Sequence, residues 1–284
     1  PLQVHGSGLD LMLNDAEFEA IAREVKARSG AVLTRDMGGA IDIRLQPIAR
    51  REGFASVPEY IAAARIRADG AMWNAIADNL AQSETRFFRD RAQMVRLLSD
   101  ILPRALQRRG HERARIWSAA CSTGQEPYSI AMLIEDMREQ GLNPAVEITA
   151  TDISDRLLEK ARSGLYTQFE VQRGLPIRKL IAHFERSGDL WRIADRMRAA
   201  VRFEQFNLMK HPGQLGQFDI VVLAHVLPSF DIDTRRAVLS RVRDVLAPEG
   251  VILLGDGESL PEGCEGLALN GGVVCKAGAA RAAA

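Results

Sequence analysis

"WSAACSTGQEPYS" spans Trp117–Ser129, near the middle of the chain, and passes from apolar residues through a small polar turn to a proline. The pattern predicts a strand ending near Ala120, a turn of Ser122, Thr123 and Gly124, and a helix started by Pro127. Backbone N–H groups in such a turn face a ligand, and the helix N-terminus behind them favours negative charge. Downstream, "VEITATD" reads as a second strand ending on Asp152, 28 positions after Gly124, about one strand–helix–strand unit later. A carboxylate at that place is able to accept both ribose hydroxyls of an adenosine ligand. Its other possible job is a helix cap, which Ser154 next door is equipped to do instead. No G-x-G-x-x-G is present. A pyrophosphate needs close backbone approach over several glycines, and a carboxylate tail needs less. The turn therefore favours S-adenosylmethionine over a dinucleotide.

The same texture extends on both sides. From about residue 112, "ARIWSAA", "VEITATD", "VRFEQFN", "FDIVVLAHV" and "GVILLGDG" alternate with helical stretches. That alternation predicts crossover connections and a mostly parallel sheet. "GLALNGGVVCK" adds an antiparallel hairpin around Asn270, Gly271 and Gly272. Residues 14–82 read as helical. Asn14 and Glu17 form a capping-box pattern, followed by Phe18, Ile21, Ala22 and Val25 on one face. Ser56, Pro58 and Glu59 repeat the device, and Trp73, Ile76 and Leu80 give a further stripe. Residues 164–206 read as an insertion, with a helix over "LPIRKLIAHFERSG" and a strand pair around "LWRIAD" and "AAVRFEQF". The expected organisation is a helical domain over 10–82, a linker and active-site segment over 83–111, and a ligand-binding α/β domain over 112–284.

Bulk properties narrow the functional classes. A chain of 284 residues, 46% hydrophobic and 26% charged, suits two domains with a sizeable core. Zero formal net charge argues against nonspecific nucleic-acid binding. Cys121, Cys264 and Cys275 are odd in number and widely spaced, which suggests neither a disulfide framework nor a zinc site and fits a reducing cytoplasm. His183 and His211 offer no metal spacing. No apolar run approaches the roughly 20 residues that span a bilayer, and the first residues lack a signal-peptide pattern. In "IDIRLQPIARREG", Arg44, Arg50 and Arg51 form either a solvated helix face or a contact surface for an acidic partner.

Taken together, "WSAACSTGQEPYSIAM", "SETRFFRD", "ITATDISDRLLEKARSGLY", "FEQFNL" and "DMGGAIDIRLQPIARREG" resemble segments of the CheR-type methyltransferases, which methylate glutamate side chains of bacterial chemoreceptors. The match runs from about Leu13 to Leu260. The resemblance implies a class I methyltransferase (Rossmann-like) sheet with an N-terminal helical domain and a small β subdomain, which some members dock on a receptor tail peptide. It implies S-adenosylmethionine as methyl donor and S-adenosylhomocysteine as product. Ser83, Thr85, Arg89, Ala120, Gly124, Glu126, Asp152, Asn207 and Leu208 fall at cofactor positions, with Asn207 and Leu208 flanking the adenine. Arg89 matches the active-site arginine, and Phe87 and Phe88 are expected to wall the pocket besides packing in the core. Arg44, Arg50 and Arg51 fall in the segment that approaches acidic receptor helices.

The chain also departs from that family. "AHVLPSFD" stands where a segment like R-N-V-x-I-Y-F is typical. Ala224 and His225, at further cofactor positions, replace an arginine and an asparagine. Ser229 replaces the tyrosine beside the transferring methyl and is carried as a catalytic position. Ser83 and Asp256 replace an asparagine and a histidine. Two expectations compete: methyl transfer to a glutamate with a reshaped acceptor site, or a cofactor-binding relative that acts through protein contacts.

Overall fold

The computed structural model describes residues 13–67, 70–80, 84–270 and 273–277. The chain divides into two compact units, residues 1–82 and 83–284.

The first unit packs α1 (Asp15–Ser29), α2 (Gly38–Arg51), α3 (Val57–Arg67) and α4 (Gly70–Leu80) around one core. Asn14 caps α1 by accepting the Glu17 N–H, and Glu17 accepts the Asn14 N–H in return. Before α3, the Ser56 hydroxyl accepts the Glu59 N–H, while the Glu59 carboxylate reaches back to the N–H of Ala55 rather than that of Ser56. Phe18, Ile21, Val25, Leu45, Tyr60 and Trp73 are buried together, so each amphipathic helix turns its apolar stripe inward.

The second unit opens with α5 (Arg91–Arg96), which runs through a π-helical stretch over Leu97–Ile101 into α6 (Leu102–Arg109). There follow β1 (Ala114–Ala119), α7 (Gln125–Glu139), β2 (Val146–Asp152), α8 (Asp155–Ser163), β3 (Leu165–Thr167), α9 (Gln168–Gln172) and α10 (Ile177–His183). The chain continues through β4 (Phe184–Ser187), β5 (Leu190–Ile193), α11 (Asp195–Ala199), β6 (Val201–Gln205), β7 (Phe218–Leu223), α12 (Ile232–Asp244), β8 (Leu246–Leu254), β9 (Leu267–Asn270) and β10 (Val273–Lys276). Seven strands form one sheet in the order β6-β2-β1-β7-β8-β10-β9. β1 is parallel to both β2 and β7, and β10 is antiparallel to β8 and β9. The chain moves outward from β1 to β2 and β6, then returns to lay β7 and β8 on the other side. Strand order therefore reverses between β1 and β7, and open α/β sheets bind ligands in the crevice at that reversal. This is the class I methyltransferase arrangement, closed by its antiparallel hairpin. Gly271 and Gly272 of that hairpin lie outside the described residues. No helix among the described residues is long and apolar enough to cross a membrane.

The small β subdomain differs in detail from the sequence reading. The expected helix over "LPIRKLIAHFERSG" ends at His183, and "FERS" becomes β4. β4 pairs with β5, β5 pairs with β3, and the three form their own antiparallel sheet. "VRFEQ" leaves this group and joins the large sheet, parallel to β2. The cause is local. Gly188, at φ 60°, turns a tight β4–β5 connection, and the turn lets Phe184 and Ile193 bury opposite each other.

Candidate functional site

Past the carboxyl end of β1 the backbone makes an unusual bend. Ala120 has φ 59°, Ser122 φ 51° and Gly124 φ 89°. Gly124 is the N-cap of α7, which begins at Gln125, so Pro127 sits inside its first turn instead of starting it. A Cβ on Gly124 would stand 2.9 Å from the Ala161 Cβ, closer than real Cβ atoms pack. Tyr166 holds the bend from behind, its hydroxyl donating to Thr123 O at 2.8 Å, while the Tyr128 hydroxyl ties α7 to α8 by donating to Ala161 O at 2.7 Å. Cys121 N–H donates to Thr151 O at 2.9 Å, and Ser122 N–H donates to Asp152 Oδ2 at 2.8 Å. Asp152 Oδ1 accepts the Ser154 N–H at 3.0 Å. Ser154 is the N-cap residue of α8, yet its hydroxyl makes no cap bond. Asp152 thus joins the loops after β1 and β2, with no helix N–H among these bonds.

In front of the bend lies a partly open pocket. Ala120 and Cys121 form its floor, Glu126 comes from α7, Ala224 and His225 from the end of β7, and Thr85, Arg89, Asp90 and Met94 from the segment before and within α5. A second, smaller pocket shares Asp90, Met94, Glu126 and Ala224 with it and reaches Leu253 and Leu254 of β8. Phe88, Ala120, Ser122 and His225 are the non-glycine positions with positive φ among the described residues. All four lie on segments that wall this cavity. Such conformations cost about 1–3 kcal/mol each and collect where function requires them.

The charges are equally marked. Glu126 receives a 2.7 Å hydrogen bond from Ser118 Oγ. Its carboxyl is pushed up to about 8, first by loss of water and then by the neighbouring Asp90, against the Ser118 bond and Arg89. Burial also raises Asp152, opposed by the N–H groups of Ser154 and Ser122. Burial drives the Cys121 thiol well above its usual range, and Asp152 and Glu126 add to the effect, which makes it a packed small residue rather than a nucleophile. Glu126 faces the cavity with Ser118 as its hydrogen-bond donor, and Arg89 acts on it without a hydrogen bond, so it has room to bond a cationic ligand group. The α-ammonium of S-adenosylmethionine has the matching chemistry, so the donor set fits that ligand.

Residues 83–268 match the CheR methyltransferase SAM binding domain. The chain belongs to the CheR methyltransferase family. It is 33% identical over 251 residues to chemotaxis protein methyltransferase 1 of Pseudomonas aeruginosa, a match that covers 87% of this chain and 91% of that protein. It is 34% identical over 253 residues to a chemotaxis protein methyltransferase of Vibrio parahaemolyticus, covering 88% and 91%. With chemotaxis protein methyltransferase Cher2 of Pseudomonas putida, identity is 30% over 248 residues, covering 86% and 90%.

On this CheR scaffold the residues singled out in the sequence are distributed unevenly. Thr85, Arg89, Ala120, Glu126, Ala224 and His225 line the cavity. Gly124 and Asp152 form the loops behind it, and the Phe206 N–H bonded to Asp152 O at 2.9 Å brings Asn207 and Leu208 alongside. Asn207 Oδ1 accepts the Met209 N–H at 2.9 Å, and Leu208 is buried. Neither Phe87 nor Phe88 is among the cavity's lining residues: both are buried, and Phe87 packs edge-on against Tyr166 and Phe184 in the core. Ser83 lies outside the described residues. Ser229 is absent from the cavity wall. It sits in a 3₁₀ turn over Leu227–Ser229, exposed, with its hydroxyl bonded to Val226 O at 2.6 Å. Arg89 donates to the backbone carbonyl of Glu84, so it is not paired with the Asp90 carboxylate. Asp90 instead takes the His225 ring, with Nε2 at 2.8 and 3.0 Å from its two oxygens. The sequence reading missed Asp90 and Glu258 as site residues. In the helical unit, Arg44, Arg50 and Arg51 are exposed along α2, where Arg44 also donates to Leu80 O at 3.2 Å.

Proposed function

We propose that this protein transfers a methyl group from S-adenosylmethionine to glutamate side chains of chemoreceptor cytoplasmic helices, or of another acidic signalling protein. The observation that carries the reading is the presence of Glu126 and Arg89 in the lining of one cavity at the strand-order reversal. Glu126 would hold the α-ammonium and Asp152 the ribose hydroxyls, while Asn207 and Leu208 would flank the adenine. When bound, the cofactor supplies an electrophilic methyl on a sulfonium. The protein's share is positioning. A glutamate carboxylate is ionised at neutral pH and already nucleophilic, so no base is required. Arg89 has the forked guanidinium that aligns a carboxylate, and holding nucleophile and methyl in line supplies most of the acceleration. Arg44, Arg50 and Arg51 would meet the acidic partner by charge complementarity.

One observation favours a second reading, in which the protein binds the cofactor and acts through contacts alone. Ala224 brings only a methyl group to the cavity, and the Ser229 hydroxyl is spent on its own turn. Titration calorimetry with both cofactor forms, followed by labelled-methyl transfer to receptor-enriched membranes, separates the two. Binding with Arg89-dependent transfer supports the enzyme; binding without transfer supports the contact reading; no binding at millimolar ligand defeats both.

A further inference from the structure

We propose that His225, fixed by Asp90, receives the acceptor carboxylate together with Arg89, donating to its second oxygen from Nδ1–H when the imidazole is protonated. The proposal rests on the reading of the acceptor as a glutamate side chain.

The ring has one orientation available. Its Nε2 is committed to the two Asp90 oxygens at 2.8 and 3.0 Å. Its backbone, at φ 61°, is pinned by Glu258 Oε2, which accepts the His225 N–H at 3.0 Å and the Gly255 N–H at 2.6 Å. The ring lies over Gly255, where a Cβ would come within 2.6 Å of Cε1. Nδ1 has no hydrogen-bond partner among the described residues and is not sealed from solvent, and His225 lines the cavity. Strained backbone, a carboxylate on one ring nitrogen and an open second nitrogen together describe a group held ready for a ligand.

The charged neighbours decide which ligand group it meets. Asp90 faces the ring from the segment before α5, and Glu258 holds it from the loop after β8. Glu126 at the start of α7, and Glu84, Arg86 and Arg89 before α5, line the same cavity. Arg89 already donates to the Glu84 carbonyl. Among so many carboxylates an incoming acceptor needs cationic donors: Arg89 keeps further N–H groups for one oxygen, and a protonated His225 ring supplies a donor for the other. In the transfer, the free carboxylate oxygen forms the new O–C bond as the S–C bond breaks, and the electron pair stays on sulfur. Carboxylate and sulfonium become a neutral ester and a neutral thioether, and no proton moves. His225 holds the second oxygen throughout.

The test uses the full chain with S-adenosylhomocysteine and histidine labelled for NMR. The His225 ring signal is located by its loss in His225→Asn, a residue that tolerates positive φ. An acetylated glutamate peptide should raise the pH at which this ring titrates by about half a unit or more, and the glutamine peptide should leave it unmoved. With labelled methyl donor, kcat/KM for the acceptor should fall about tenfold per pH unit above that midpoint, mainly through KM. In His225→Asn the profile should be flat, and Asp90→Asn should displace it to lower pH. An unmoved midpoint with the glutamate peptide, or a wild-type pH profile in His225→Asn, overturns the proposal. Absence of transfer at every pH would instead count against the enzyme reading, with the NMR titration still deciding the role of His225.

Discussion

The Asp152 carboxylate accepts the backbone N–H of Ser122 at 2.8 Å, tying the loop after β2 to the loop after β1. Asp152 therefore shapes the very bend it would help to fill. Asp152→Ala should weaken S-adenosylhomocysteine binding by about 1–3 kcal/mol, since the ribose hydroxyls lose their acceptor and Ser122 loses its anchor. Calorimetry on both proteins reads this directly, and unchanged affinity would remove Asp152 from the site.

Glu126 gives a pH dependence with a definite sign. Its carboxyl titrates at about 8 in the folded protein, against an ordinary value of 4.5. Below pH 8 the cavity holds the protonated acid, and an α-ammonium needs the carboxylate, so binding must expel a proton. S-adenosylhomocysteine affinity should rise by up to about tenfold per unit from pH 6 towards 8 and level off above it. Glu126→Gln should bind weakly and show no such slope. For the unliganded protein the sign is opposite. The group's contribution to stability is complete below pH 4.5 and lost as pH rises to about 8. Calorimetry in buffers of different ionisation enthalpy measures the released proton.

The turn at Gly124 is strained against substitution on two counts, its φ of 89° and the 2.9 Å approach to Ala161. Gly124→Ala should lower the melting temperature by several degrees, about 1–3 kcal/mol of stability, and weaken cofactor binding in the same variant. A variant as stable and as tightly binding as wild type would contradict the packing described for this loop.

The central turn and the alternation of strands with helices were legible in the sequence because both are local. Ser122-Thr123-Gly124 announces a bend, and apolar runs broken by helical stretches announce crossovers. The third strand of the small sheet was not. Leu180, His183 and Phe184 continue a helical apolar pattern, and "FERS" becomes a strand only because β5 is there to pair with it. The Asp90–His225 contact joins positions 135 residues apart, so no window of sequence contains both. Ser229 was expected at the site from the tyrosine it replaces. A hydroxyl on a short stem next to Pro228 is satisfied by the carbonyl of Val226 instead, and the side chain never reaches the cavity.

Arg50 and Arg51 at the end of α2 supply a test of the partner surface. Reversing both to glutamate should slow association with receptor fragments and change its salt dependence, while the circular dichroism of the protein stays that of wild type. Equal association rates at low salt would leave these arginines as a solvated face.

The most direct test of the account is methyl transfer itself. The full chain, given labelled S-adenosylmethionine and receptor-enriched membranes, should place label on receptor glutamates as esters that release methanol in mild alkali. Arg89→Ala should abolish that label while S-adenosylhomocysteine still binds. Tight cofactor binding with no alkali-labile label under any condition, or label that survives Arg89→Ala undiminished, would contradict it.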